Sequence, residues 1–194
     1  MKVVGITGSM GSGKTTVLKM FKTLGVSTYI ADVEAKRLMK NSIILKSKII
    51  EEFGSESYID GELNRSYLAK LIFKDATKLK IINSLVHPAV RFDFEKFIRN
   101  AKGKYVLYES ALLLQSDTAS LCDYIILVSA PFDIRVSRIL KRDATREDEI
   151  KSRLKHQKIP NESLRKATFF IENSTLKNTQ DQVLQIHNYI LSKN

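Results

Sequence analysis

The chain has one cysteine, three prolines and no tryptophan in 194 residues. A lone thiol, Cys122, makes no intrachain disulfide and no cysteine cluster for a metal, so it is expected as a core residue. Pro88, Pro131 and Pro160 are too few to mark an interdomain hinge, and no internal repeat or Gly/Ser-rich linker breaks the chain. The apolar runs, such as 124–128, fall far short of the roughly 18 residues a membrane helix needs. The opening MKVVGITG lacks the apolar core and cleavage pattern of a secretory signal, so a cytoplasmic location is expected. With 43% hydrophobic and 27% charged residues the composition is that of a folded globular protein, which excludes a disordered chain.

Positive charge is what the sequence has in excess: 32 Lys+Arg against 21 Asp+Glu, a formal net charge of +11. Such a chain attracts anions. The partner could be nucleic acid, a membrane surface or a phosphorylated small molecule. No Lys/Arg block interleaves with aromatics in the manner of a nucleic-acid platform, so small polyanions fit at least as well. With the motifs below, small molecules are the expected partners, with neither nucleic acid nor membrane.

Five β-rich runs stand out, at 3–7, 28–31, 105–108, 124–128 and 168–171. Most are continuously apolar, as suits strands covered on both faces of a parallel sheet. Helical patterns lie between them. Val17, Leu18, Phe21 and Leu24 recur at helical spacing before Gly25. This alternation predicts an α/β fold with a five-stranded parallel sheet. The interval 33–102 is too long for a simple crossover and reads as a helical insert: helices around 35–40, 43–53 closed by Gly54, 65–73 after an Asp60-Gly61 turn, 77–86 and 89–101. The core then comprises 1–32, 103–140 and 161–194, and the basic stretch 141–160 reads as a helical lid.

Gly8-Ser9-Met10-Gly11-Ser12-Gly13-Lys14-Thr15 satisfies G-x-x-x-x-G-K-[ST], between a predicted strand and a predicted helix, the context of a P-loop. The glycines let successive backbone N–H groups face phosphates, the helix N-terminus adds a positive dipole, Lys14 reaches the terminal phosphates and the Thr15 hydroxyl ligates Mg²⁺. Thr16 completes the phosphate-binding stretch. ATP and Mg²⁺ are therefore expected, but the loop does not name the acceptor.

Ligands of open α/β sheets bind beyond the carboxyl ends of the strands. Asp32 follows the second predicted strand and Glu109 ends the third. A kinase acting on a hydroxyl needs a carboxylate to take its proton. Asp32 reads equally as a helix N-cap, and Glu109 as a solvated strand end.

Here the chain resembles the dephospho-coenzyme A kinase family over nearly its whole length. The P-loop GSMGSGKT, the strand end Ile30-Ala31-Asp32 and the following Val33-Glu34-Ala35-Lys36-Arg37-Leu38 match the family's opening. Its D-G-x-L-[ND]-R stretch appears as Asp60-Gly61-Glu62-Leu63-Asn64-Arg65, with Leu68 and Ile72-Phe73 after it, and its His-Pro as His87-Pro88. Arg138, Arg142-Asp143, Arg153, Gln157, Ile171 and Asn173 match the lid region and the closing strand. The resemblance implies a P-loop kinase core with a helical substrate-binding insert and a lid. It also implies transfer of the ATP γ-phosphoryl group to the ribose 3′-hydroxyl of dephospho-coenzyme A.

Carried over, Asp32 is the general base and Lys14 and Arg142 are catalytic. Positions 8–16 with Arg138 and Asn173 hold ATP, and Arg65, His87 and Glu109 contact the acceptor. Arg138 and Arg142, four apart on one helical face, are placed to reach the same phosphates. His87 also reads as a cap before Pro88 at a first helical position, and His156 and His187, matching nothing in the family, as surface residues. Three positions depart: Ile30 replaces the first aspartate of D-A-D, and Ala111 and Gln115 replace the proline and glutamate of P-L-L-F-E, so none of the three is given catalytic weight. A P-loop kinase of another small acceptor, such as a nucleoside monophosphate, and a nucleic-acid-dependent P-loop ATPase are the alternatives.

Overall fold

The structure, a computed structural model, describes residues 1–143, 146–156 and 164–193. It divides into two compact units, Met1–Tyr29 with Ala101–Asn194, and Ile30–Asn100.

The first unit is built on a five-stranded parallel sheet of order β2-β5-β1-β6-β7. Its strands are β1 (Lys2–Thr7), β2 (Ser27–Ile30), β5 (Tyr105–Glu109), β6 (Tyr124–Ser129) and β7 (Phe169–Glu172). The predicted second strand, 28–31, ends one residue earlier because Ala31 already opens a helix. β1 pairs in parallel with β5 and β6 on either side, Val4 lying opposite Leu107 and Tyr124. Every residue of β5, and Val3 to Thr7 in β1, is buried, as continuous apolar runs covered on both faces require. Helix α1 (Lys14–Thr23) buries Val17, Leu18 and Phe21. Each such side chain removed from water contributes roughly 1.5–3 kcal/mol. Leu24, read as part of the same stripe, is the helix C-cap and is exposed. α1 packs against the last helix, α8 (Leu176–Ser192), which buries Thr179, Val183, Ile186 and Ile190. Helices α6 (Phe132–Arg142) and α7 (Glu147–His156) pack on one another through Val136, Ile139, Ile150 and Leu154, and Met10 of the glycine-rich loop closes that cluster.

The expected lid, 141–160, begins inside α6, whose last turn holds Lys141 and Arg142. Gln157 and Pro160 lie outside the described residues, as do the side chains of Arg153 and His156. Cys122 is only half-buried. Apolar surroundings and the neighbouring Asp123 push its thiol up to about 12, so it is an inert packing group. His187, expected at the surface, is partly buried with Nδ1 2.7 Å from the hydroxyl of Tyr105.

The second unit is helical: α2 (Ala31–Asn41), α3 (Ile43–Phe53), α4 (Arg65–Lys74) and α5 (Ala76–Asn100). Ser42 and Asn64 cap α3 and α4, their side-chain oxygens accepting from the amides of Leu45 and Tyr67. The Asp60-Gly61 turn does more than separate helices. Both residues have positive φ, 49° and 83°, the geometry of a two-residue hairpin turn, and it joins the short strands β3 (Tyr58–Ile59) and β4 (Glu62–Leu63). Arg37 donates from Nη2 to both carboxylate oxygens of Asp93 at 2.8 Å and also pairs with Glu34, tying α2 to α5. These partners raise its pKa further above the ordinary value.

The two helices expected at 77–86 and 89–101 are one helix of 25 residues with Pro88 inside it. An internal proline costs about 3 kcal/mol. Ile82, Val86, Val90 and Phe94, four apart and all buried, form one apolar stripe across the proline. Their burial offsets that cost, which a local reading of His-Pro does not register. His87 is therefore no cap.

Candidate active site

The loop leaves the carboxyl end of β1, beside the reversal in strand order where ligands of open sheets bind. Gly13 is the N-cap of α1 with φ 89° and makes no side-chain cap. A Cβ there would fall on the side-chain amide of Asn173, so both the backbone conformation and the space demand glycine. The first turn of α1 carries no acidic residue, leaving the positive end of the helix dipole for an outside anion. Lys14 curls back over the loop, its Nζ donating to the Gly8 carbonyl at 2.8 Å, with the Glu109 carboxylate 4.0 Å away.

A cavity of about 740 Å³ opens over this loop, lined by Gly8, Ser9, Met10, Gly11, Gly13, Lys14, Thr15 and Thr16. Ala111, Leu112 and Gln115 form a wall, and Arg138, Ile139 and Arg142 of α6 line it too. Ala111 and Gln115, set aside from the sequence because they break the family pattern, therefore do border the site. The Ala111 carbonyl also accepts from the Thr7 hydroxyl at 3.3 Å. Glu109 is not a solvated strand end: it is 6% exposed and faces Lys14.

The two arginines differ. Arg138 is docked on the loop, Nη1 donating to the Ser12 carbonyl at 3.4 Å and Nη2 to Asn173 Oδ1 at 3.3 Å. Arg142 is exposed and forms a two-pronged pair with Asp143 at 2.7 and 2.9 Å, which raises its pKa. Ser12 and Asn173 are buried and do not line the cavity. Asn173 thus touches the loop from behind, donating from Nδ2 to the Ser12 carbonyl at 2.9 Å.

Asp32, Arg65 and His87 belong to the second unit. Asp32 is exposed in the first turn of α2, whose N-cap is Ile30, so the capping role is not its own. Its charge favours the helix dipole there. Arg65 opens α4 and His87 lies midway along α5, both exposed.

The dephospho-CoA kinase family pattern matches residues 2–178. The chain belongs to that family. It is an enzyme, a P-loop kinase of coenzyme A biosynthesis. A dephospho-CoA kinase of Haemophilus ducreyi is 33% identical over 196 residues, covering 98% of this chain and 96% of that protein. One of Bacteroides fragilis is 30% identical over 191 residues, covering 98% and 93%. Among solved structures, a Thermus thermophilus protein superposes with a TM-score of 0.84 at 30% identity, covering 97% of this chain and 96% of that one. Shikimate kinase of Acinetobacter baumannii, at 18% identity and TM-score 0.51 over 100% and 95% of the two chains, shares the fold.

One feature of this kinase site escaped the sequence reading. Arg135 donates from Nε to the Met10 carbonyl at 3.0 Å, and its backbone lies where a Cβ on Gly11 would be. Burial holds its pKa down. The signal was available: Arg135, Arg138 and Arg142, spaced three and four apart, share a helix face.

Proposed function

We propose that this enzyme transfers the γ-phosphoryl group of ATP to the ribose 3′-hydroxyl of dephospho-coenzyme A, giving coenzyme A and ADP. The observation that carries the reading is the family match over 2–178 coinciding with an open cavity over the glycine-rich loop. The phosphates of ATP lie along the loop amides and the N-terminus of α1. On nucleotide binding Lys14 exchanges its bond to the Gly8 carbonyl for the terminal phosphates, where its charge follows the migrating group. Arg138 contacts the same phosphates from α6. Arg142 joins it when its pair with Asp143 opens.

Asp32 takes the proton of the attacking hydroxyl. Arg65 and His87, from the helical insert 33–102, contact the acceptor, as does Glu109 beside Lys14. No cluster of three or more His, Cys, Asp or Glu among the described residues is arranged to hold a metal. Mg²⁺ takes one or two protein ligands and completes its shell with phosphates and water. Thr15, exposed in the cavity, supplies the hydroxyl ligand. Held through Thr15, Mg²⁺ would supply screening of the charge on the transferring phosphates. No helix among the described residues is long and apolar enough to cross a membrane. The proposed location of the reaction is the cytoplasm.

The deciding experiment is an acceptor panel with ATP and Mg²⁺, with the phosphorylated product identified by mass spectrometry and NMR. ADP release with dephospho-coenzyme A and a 3′-phosphate on the product is the expected result. Release with a nucleoside monophosphate but not with dephospho-coenzyme A overturns it.

A further inference from the structure

Behind the glycine-rich loop lies a buried polar cluster that the reaction does not use directly. Asn173 is 1% exposed and Thr179 0%. The Asn173 amide has three side-chain or carbonyl neighbours. Nδ2 donates to the Ser12 carbonyl at 2.9 Å, and Oδ1 faces both Arg138 Nη2 at 3.3 Å and the Thr179 hydroxyl at 3.0 Å. The backbone N–H of Asn173 donates to the Ser129 carbonyl at 2.8 Å, which anchors the residue at the end of β6.

The chemistry of these neighbours allows one orientation of the amide. A carbonyl only accepts and a guanidinium only donates. Flipping the amide would therefore set oxygen against the Ser12 carbonyl and N–H against Arg138. The Thr179 hydroxyl has one proton and two acceptors, Oδ1 and the Thr175 carbonyl at 2.7 Å. That carbonyl already accepts the backbone N–H of Thr179 at 3.0 Å. The contact with Oδ1 is fully buried, whereas the one with the Thr175 carbonyl is only part-buried and that carbonyl keeps its amide partner, so burial favours directing the proton to Oδ1.

We propose that Thr179 is a positioning residue for the phosphate loop: its hydroxyl holds the Asn173 amide in the orientation that ties the Ser12 carbonyl behind the loop. Ser12 stands between Gly11 and Gly13, both with positive φ, so a peptide held on one side fixes the direction in which its neighbours point. Valine would fill the same buried volume in α8 without a polar group to satisfy. The hydroxyl therefore serves the amide, and α8 takes part in shaping a site it does not line. The inference rests on the reading of the loop as an ATP site, and it predicts an effect on nucleotide affinity in place of the chemical step.

The test is calorimetric titration of the full-length protein with ATP and Mg²⁺ in the absence of acceptor, alongside steady-state kinetics. Thr179→Val is expected to weaken ATP binding by roughly fivefold to tenfold, the worth of one buried hydrogen bond. KM for ATP should rise in step while kcat at saturating ATP stays within about twofold. Thr179→Ser restores the hydroxyl and should bind within about twofold of the unsubstituted protein. Asn173→Asp removes the donor to Ser12 and should weaken binding more. Adding Thr179→Val to it should cost less than Thr179→Val alone, because the two act through one group. Should the Asn173 variant not fold, the comparison of valine with serine decides by itself. ATP binding by folded Thr179→Val equal to that of the unsubstituted protein, or a serine variant as weak as the valine one, overturns the inference. No ATP binding by the unsubstituted protein overturns it together with the reading of the loop.

Discussion

The two units of the molecule present their functional side chains in opposite ways. In the first, Lys14, Arg138 and Asn173 are all bonded to the loop they serve: Lys14 to the Gly8 carbonyl, Arg138 and Asn173 to that of Ser12. In the second, Asp32, Arg65 and His87 are exposed on three different helices. The nucleotide half is thus organised by backbone before any ligand arrives, at a fixed cost in strain and glycine. The second unit holds the residues proposed to meet the acceptor on solvated helix faces, where a substitution leaves packing undisturbed. Substitutions in the second unit should accordingly separate activity from stability more cleanly than those in the first.

The largest expected effect tests that separation. Asp32→Asn removes the proposed base while keeping the size of an exposed side chain, so kcat should fall by roughly 10² to 10⁴-fold. Because Asp32 is not a cap, the only structural loss is its charge near the helix N-terminus, about 0.3–1 kcal/mol, readable as a small drop in the urea midpoint. Retention of most of the turnover would move the base elsewhere, with Glu109 next in line. Lys14→Ala is the counterpart in the first unit. Its kcat should fall by roughly 10² to 10³-fold, and a thermal melt should also shift, since Lys14 is tied to Gly8 and faces the buried Glu109.

The arginine pair sharpens the comparison within one helix. Arg138 donates through two nitrogens to two acceptors, a fork that lysine cannot reproduce, whereas Arg142, among the described residues, pairs with its neighbour Asp143. Arg138→Lys should lower kcat/KM for ATP by roughly tenfold and reduce stability, and Arg142→Lys should lower kcat with no change in the melt. Identical kinetics for both lysine variants and the unsubstituted enzyme would reduce the pair to surface charges.

These contrasts also mark what was legible in the sequence. The loop was readable because its chemistry is contiguous: eight residues carry the glycines, the lysine and the hydroxyl together. The strands were readable because burial on both faces leaves an unbroken apolar run. What was not legible depended on neighbours in space that no contiguous motif records. Asn173 was assigned to the ligand because its motif position was visible, whereas its bonds to Ser12 and Thr179, 161 and 6 residues away, were not. Ala111 and Gln115 were discounted for breaking a pattern although they line the cavity. His-Pro was taken as a helix start because the local rule at Pro88 is strong and the apolar stripe that overrides it is spread over 13 residues.

Pro88 gives the next prediction. If the stripe holds α5 together against the proline, Pro88→Ala should restore the missing hydrogen bond and raise stability by about 1–3 kcal/mol, partly offset by greater freedom of the unfolded chain. The urea midpoint is the readout. A destabilised alanine variant would mean that α5 depends on the proline at that position.

The smallest effect belongs to the first unit, on a residue the sequence placed at the surface. Burial holds His187 below its ordinary value of 6.5, and its Nδ1 lies 2.7 Å from the Tyr105 hydroxyl, itself 2% exposed in β5. Neutral imidazole in the tautomer protonated on Nε2 accepts the tyrosine proton there, and imidazolium carries its own proton on that nitrogen and cannot. As pH falls through 6.5 the unfolded chain takes up its proton first, so the unfolded state binds more protons than the folded one and stability decreases. The contribution is complete above 6.5, declines as pH drops toward the lowered folded value, and changes no further below it. His187→Asn keeps an acceptor near the position of Nδ1 and removes the titration. Urea midpoints between pH 5 and 8 should therefore diverge, the unsubstituted enzyme losing stability toward pH 5 more steeply than the variant. Parallel curves would show that the Tyr105 hydroxyl tolerates the imidazolium and that α8 is held at this point by packing alone.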